Sequence, residues 1–437
     1  MDPDDNDGSA RNGLQDHPLR YALVNELHAR PFAALNVPSH AVFLAIKLPK
    51  NAKMRDRARD RAHLIALLDR FGAPHPQPGA THYFGDLGRY RLKWEQHSEF
   101  VTYTLFAEGV YENPFDTSAF TAFPPDWLAE APGARISSAL IRVEPMPETE
   151  AGIDERLSAW FVSESLAVSR VADGCAVIAG DFRIDPGGHM RFAVFVRAGT
   201  TARRIGRIVQ RLCELEVYKT MSLLALPMAR GVSRRMVEFD AEVSALVRQV
   251  QGEDQPARAT LDKLLALSTE LEALMASHAY RFSATGAYAA LVEERIQVMQ
   301  EQRFQGRQTF REFMMRRFDP AIRTIRAAER QLEQMATRTK RAGDLLRTRV
   351  EVARSEQNQK LLASMDRRAD LQLRLQKTVE GLSVVAIGYY SVNLAAYFLA
   401  PFAKGHGVEK PWLMAGLTPV VLLVLWIVIH RIRKRLE

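Results

Sequence analysis

Two apolar stretches near the end of this chain, residues 382–400 and 412–430, each have the length that carries an α-helix across a lipid bilayer. At about 19 residues and 1.5 Å per residue, each makes a helix of roughly 29 Å, close to the ~30 Å hydrocarbon core. In lipid the backbone must satisfy its own hydrogen bonds, so such stretches are helices. A short polar loop, 401–411, separates them, and the tail 431–437 carries Arg431, Arg433, Lys434 and Arg435. The pattern predicts an integral membrane protein whose bulk precedes a two-helix transmembrane hairpin.

Charge predicts the orientation. Arg367, Arg368, Arg374 and Lys377 precede the first stretch, and four basic residues follow the second. The loop between carries only Lys404, His406, Glu409 and Lys410. By the positive-inside rule both termini are cytoplasmic and the loop faces outward, which in a bacterium means the inner membrane and a periplasmic loop. The N-terminus holds Asp2, Asp4, Asp5 and Asp7 and no apolar core of a signal peptide, so none is expected. A net charge of +8 spread over 437 residues is modest. Its arginines run along helices instead of clustering, which argues against nucleic acid and for anionic lipid headgroups. Two cysteines, Cys175 and Cys213, provide no disulfide framework and no metal-ligand spacing.

The predicted fold class is an α+β cytoplasmic domain followed by a mainly α-helical region with a very long stalk helix and the hairpin. Residues 1–16 read as a disordered leader and 17–197 as an α/β domain with a mixed or antiparallel sheet. Strand-like runs lie at 41–48, 81–86, 89–97, 99–107, 136–143, 175–184 and 190–196, the last two joined by the turn Asp185-Pro186-Gly187-Gly188. Residues 198–319 form a helical domain, with one break expected at 283–286 and another at Asp319-Pro320. The stalk then runs over 320–381 into the first span. Stalk and span together would measure ~120 Å, too long for burial in one small domain. Leu361, Met365 and Leu375 with Ala369 give a stripe with imperfect heptads, so a simple dimeric coiled coil is not favoured.

Three constellations could carry chemistry. In the first span Ser383, Tyr390, Asn393 and Tyr397 step by seven, three and four and share one helix face, while Gly388, Ser391 and Ala395 form a small-residue face for close packing. An amide in lipid is costly without a partner. The stripe therefore either lines a pore built from several copies or supplies hydrogen bonds between packed helices. Glu95, His97 and Glu99 alternate along strand-like sequence. If the strand runs through, all three point one way and could bind a divalent cation; a turn at His97-Ser98, or a solvated charged face, is the plainer alternative. Glu26, His28 and Arg30 crowd a short segment before Pro31 and read as a structural clamp at a helix end. No nucleotide loop, nucleophile elbow or complete acid–base set is present, so an enzyme is not expected.

Two stretches carry a family resemblance. One is His17-Pro18-Leu19-Arg20 with Asn25-Glu26-Leu27-His28-Ala29-Arg30-Pro31. The other is Arg368-Ala369-Asp370-Leu371-Gln372-Leu373-Arg374-Leu375-Gln376 running into Thr378-Val379-Glu380-Gly381-Leu382-Ser383 and Tyr389-Tyr390. Together they resemble a bacterial family of uncharacterised membrane-anchored proteins that carries a domain of unknown function over nearly its whole length. The order of parts is also similar to that of the CorA-type magnesium channels. That likeness implies a homopentamer whose first span lines the pore. Their Gly-Met-Asn signature is absent, since the corresponding place reads Leu399-Ala400-Pro401-Phe402. The expectation is a homo-oligomeric ion channel or transporter of altered selectivity, or else a membrane-anchored scaffold or sensor.

Overall fold

A computed structural model describes residues 16, 17, 19, 20, 32–49, 55–251, 257–404 and 409–436. The chain divides into two units, one of residues 1–248 and 264–340, the other of 249–263 and 341–437.

The first unit is built on a nine-stranded sheet. Its strands are β1 (Ser39–Lys47), β2 (His82–Asp86), β3 (Arg91–Gln96), β4 (Phe100–Glu108), β5 (Ala134–Pro145), β6 (Ala167–Val171), β7 (Ala176–Gly180), β8 (Met190–Val196) and β9 (Gln302–Arg303), in the order β2-β3-β4-β1-β5-β8-β7-β6-β9. β5 and β8 are parallel and the remaining pairings are antiparallel. The expected mixed sheet is therefore present. The helix α1 (Arg57–Arg70) sits between β1 and the meander β2-β3-β4, and α3 (Glu150–Trp160) sits between β5 and the meander β6-β7-β8. Each half is thus strand, helix, three-strand meander, and the two first strands pair at the centre.

Alternation decides which side each residue faces. Val42, Leu44 and Ile46 of β1 join Leu92, Trp94, Val101, Tyr103 and Leu105 against Leu64, Leu67 and Leu68 of α1 and Trp127 of α2 (Pro125–Ala129). Ile153 and Leu157 of α3 cover Val168, Val177, Ala193 and Phe195. The opposite face is covered by α4 (Ala202–Leu223), whose Ile205, Ile208, Val209 and Leu212 are buried.

Three long helices follow: α5 (Leu226–Gln251), α6 (Ala257–Val298) and α7 (Phe310–Lys404). Their buried residues recur in steps of three and four. The series are Ala229, Val232, Met236, Phe239, Val243 and Leu246 on α5, and Phe282, Thr285, Ala289, Val292 and Ile296 on α6. Ile325, Ala328, Leu332, Met335 and Thr339 continue the pattern on α7. This is the seam spacing of helices packed side by side. Arg235 bridges to Glu270 and Arg338 to Asp240 across it.

The structure corrects two expected breaks. Helix α6 continues through 283–286, and α7 begins at Phe310 and continues through Pro320. The break lies instead at 299–309, where the chain returns to the sheet as β9. A glycine costs a helix about 1 kcal/mol and an interior proline about 3 kcal/mol. Burial of Phe282 and Ala289 around the one, and of Phe318 and Ile322 around the other, offsets both.

In the second unit α7 runs on to Lys404, and α8 (Lys410–Leu436) follows. Each contains a stretch long and apolar enough to cross a membrane. Residues 351–387 of α7 are exposed on every side.

Candidate functional site

The first candidate is the pair of apolar helices. On α7 the residues buried against α8 are Gly388, Val392 and Ala396, and a methyl group added at Gly388 would stand 3.7 Å from Leu422 Cδ2 and Leu425 Cδ1. Ser391 and Ala395, expected on this close-packing face, flank it half-buried. The contact centres one residue further along than Ser391 and Ala395 because steps of four from Gly388 keep Val392 and Ala396 on one line.

The polar stripe lies on the other side. At ~100° per residue, Asn393, Tyr397, Tyr390 and Ser383 stand at ~140°, ~180°, ~200° and ~220° around the helix from Gly388. Tyr390 and Tyr397 are each 71% exposed, and Ser383 is exposed. Asn393 Nδ2 donates to the Tyr389 carbonyl at 3.0 Å, one turn back on the same helix. Lys410 Nζ sits 5.3 Å from the Tyr397 ring centroid. Apart from half-buried Asn393 and the approach of Lys410, the first residue of α8, to Tyr397, the stripe belongs to a surface that α8 leaves open.

The second candidate is the end of the β3-β4 hairpin. Here the one-face expectation for Glu95, His97 and Glu99 is corrected. The His97 N–H donates to the Phe100 carbonyl at 2.9 Å, so the chain turns at Ser98-Glu99 and does not run through as one strand. The turn sends Glu99 into the protein, where its carboxylate pairs with Arg281 and accepts from the Tyr288 hydroxyl at 3.3 Å. Glu95 Oε2 lies 3.3 Å from Lys93 Nζ, and the His97 ring stacks on Phe100 at 4.3 Å. Glu95 and His97 do share a cavity of about 20 Å³, lined also by Lys93, Gln210, Cys213 and Glu214. That is room for about one water. The buried Lys93 ammonium opposes a cation there, and burial pushes the Cys213 thiol up, away from thiolate chemistry. Among the described residues no three His, Cys, Asp or Glu side chains converge as a metal-ligand set. Glu26, His28 and Arg30 lie outside the described residues.

The third cluster is one that the sequence reading missed. It holds the start of α7 on the sheet. Its first three amides are each taken by a different side chain: Phe310 N–H by Ser169 Oγ at 3.1 Å, Arg311 N–H by Glu301 Oε2 at 3.0 Å, and Glu312 N–H by Thr309 Oγ1 at 3.2 Å. Glu312 Oε2 in return accepts from Thr309 N–H at 3.1 Å, completing a capping box. Ser169 belongs to β6, so the helix start is bonded to the sheet itself. Val168 N–H to Gln308 O at 2.9 Å and Ala172 N–H to Met299 O at 3.0 Å close the joint on both sides. Burial pushes the Glu301 carboxyl up to about 7, although the Arg311 amide and charge and the Thr309 and Ser169 hydroxyls pull it down. Its second oxygen, Oε1, is buried without a hydrogen-bond partner among the described residues. The signal for the helix start was present as Thr309-Phe310-Arg311-Glu312. The roles of Ser169 and Glu301 depend on tertiary pairing and had no local signal.

Comparison with curated proteins and with solved structures returns no match. A family model described as "Protein of unknown function (DUF3422)" matches residues 15–436, which takes in both stretches that carried the family resemblance. The chain accordingly belongs to the DUF3422 family.

Proposed function

We propose that this protein is a homo-oligomeric bacterial inner-membrane protein of CorA-like build, with both termini cytoplasmic, in which copies of the first span surround an ion path. The observation that carries this reading is the exposure of Ser383, Tyr390 and Tyr397 on the side of α7 opposite its Gly388 contact with α8, with half-buried Asn393 among them. A lone hairpin would press two phenols and an amide against acyl chains, whereas copies of the span arranged with this side inward keep them from lipid.

The stalk supports the same reading. Leu361, Met365, Leu375, Val379 and Leu382 are each more than half exposed, and their face continues by steps of four and three into Tyr390, Asn393 and Tyr397. Helices draw most of their stability from packing an apolar face, and these residues have nothing to pack on among the described residues of one chain. Other copies of the stalk supply that packing. Arg368 and Gln372 interrupt the apolar series, consistent with a ring of stalks instead of a simple two-stranded coiled coil. Conduction then uses the Asn393 amide and the tyrosine hydroxyls in place of part of an ion's hydration shell. The absent Gly-Met-Asn signature leaves the ion unassigned.

The test is flux into proteoliposomes together with copy number in detergent. Asn393→Leu and Tyr390→Ala should each change flux about tenfold, the effect of ~1.4 kcal/mol on the permeation barrier, with copy number unchanged. Wild-type flux equal to that of empty vesicles, or a single subunit per particle, sinks the reading.

One observation favours a second reading, a membrane-anchored scaffold without transport. The Asn393 amide already bonds its own helix, so the stripe does not require a wet path. In that case a truncated chain ending near Gln376 retains its protein partner, and the two span substitutions leave function intact.

A further inference from the structure

We propose that Glu301 is a proton-operated latch that sets how firmly the start of α7 is held on the sheet. The geometry places this carboxyl where one proton has leverage. Glu301 follows α6 and precedes β9, and its Oε2 is the acceptor for the second amide of α7, the helix that contains the first candidate span. The neighbouring amides are held by Ser169 and Thr309, so the carboxyl lies between a strand of the sheet and a helix end. Its other oxygen is buried, with no hydrogen-bond donor among the described residues to support a charge.

The charged groups around it come from every element at the joint. Arg311 of α7 acts on it directly and lies 3.6 Å from Glu293 of α6. Arg303 of β9 pairs with Glu312 of α7, and Arg170 of β6 pairs with Glu150 of α3. These cations thus have carboxylate partners other than Glu301. The helix N-terminus and the Arg311 amide favour the ionised form, and burial disfavours it more strongly.

The sign follows from linkage. In the closed joint the carboxyl keeps its proton up to about pH 7, whereas in an opened, hydrated joint it titrates at its ordinary value of 4.5. Between those values the closed form holds a proton that the open form has lost. Each rise of one pH unit therefore favours opening by roughly tenfold, and above about 7, where both forms are ionised, the dependence levels off. Acidification tightens the head of α7 and neutral to alkaline pH loosens it. The latch operates whether or not the spans conduct.

Amide hydrogen exchange on the full chain in detergent reads this opening. After correction for chemical exchange, protection at residues 310–312 should fall roughly tenfold per pH unit between pH 5 and 7 and then level off. Glu301→Gln, which keeps an acceptor for the Arg311 amide but cannot ionise, should stay protected and flat. A wild-type profile that is flat, or that levels off near 4.5, overturns the proposal without reference to any variant, as does the same slope in the Glu301→Gln variant.

Discussion

Arg281→Ala should cost the sheet-bearing unit about 3–5 kcal/mol, the loss expected when one partner of a buried ion pair is removed. Glu99 is 1% exposed at the turn between β3 and β4, and Arg281 of α6 is its ionic partner. With the guanidinium gone, Tyr288 remains as a hydrogen-bond donor at 3.3 Å, and a neutral phenol cannot replace a cation in a site closed to water. One effect opposes the loss. Burial holds the Arg281 guanidinium below its usual range, and Arg281 in turn helps depress Lys47, so its removal relieves a repulsion. The net cost should therefore fall towards the lower end of the range. The stability of the variant should also respond to pH at this position. An unpaired buried carboxyl takes up a proton more readily when folded than when unfolded, so the deficit shrinks as pH falls and is greatest at neutral pH. Glu99→Gln in the same background should restore most of the stability by removing the stranded charge. Denaturant midpoints at pH 5 and pH 8 decide it. An Arg281→Ala protein as stable as wild type at pH 8 means that the pair does not hold hairpin and helix together.

The coarse fold was legible because its main signals are local. Short apolar runs, buried on both faces, marked β1, β4 and β8, and the Asp185–Gly188 turn marked the β7-β8 hairpin. Two predominantly apolar runs without a charged residue marked the candidate spans. Misreadings arose where a local signal was outweighed by packing. Gly286 and Pro320 have the chemistry of breaks, yet both lie inside helices whose seams are buried on either side. The strand β6 is short, β9 is two residues long, and β9 reaches the sheet only after three intervening helices. Between the two alternatives at Glu95, His97 and Glu99 the turn is the one present: it was expected at His97-Ser98 and lies one residue on, at Ser98-Glu99, so the three do not continue along one strand. The polar stripe of the first span was legible as a stripe. Its direction, away from α8, required the structure, because the packing face is defined by Leu422 and Leu425 on the other helix.

Gly206→Ala poses two effects of opposite sign at one position, and their sizes predict the winner. Gly206 lies inside α4, where alanine is preferred to glycine by about 1 kcal/mol on helix propensity alone. The segment before β1 crosses the helix there: Leu35 N–H donates to the Ala202 carbonyl at 3.0 Å, and Ala33 and Leu35 are both buried. A Cβ on residue 206 would overlap the Ala33 carbonyl oxygen and stand 2.8 Å from its carbon. Both are backbone atoms, so no side chain can rotate aside. Either the helix moves off the sheet, or the 32–38 segment lifts and gives up its burial and its hydrogen bond. Overpacking against atoms that can yield costs about 1–3 kcal/mol, and a backbone contact this close belongs at or beyond the upper end. The expected net loss is thus about 2 kcal/mol or more, after the propensity gain is subtracted. Gly231→Ala is the matched control. It sits in α5 with nothing within 4 Å of an added Cβ, so only the propensity acts and the protein should gain about 0.5–1 kcal/mol. Paired denaturation curves should move in opposite directions. If both alanine variants are stabilised, the 32–38 segment does not pass over α4 in the folded protein.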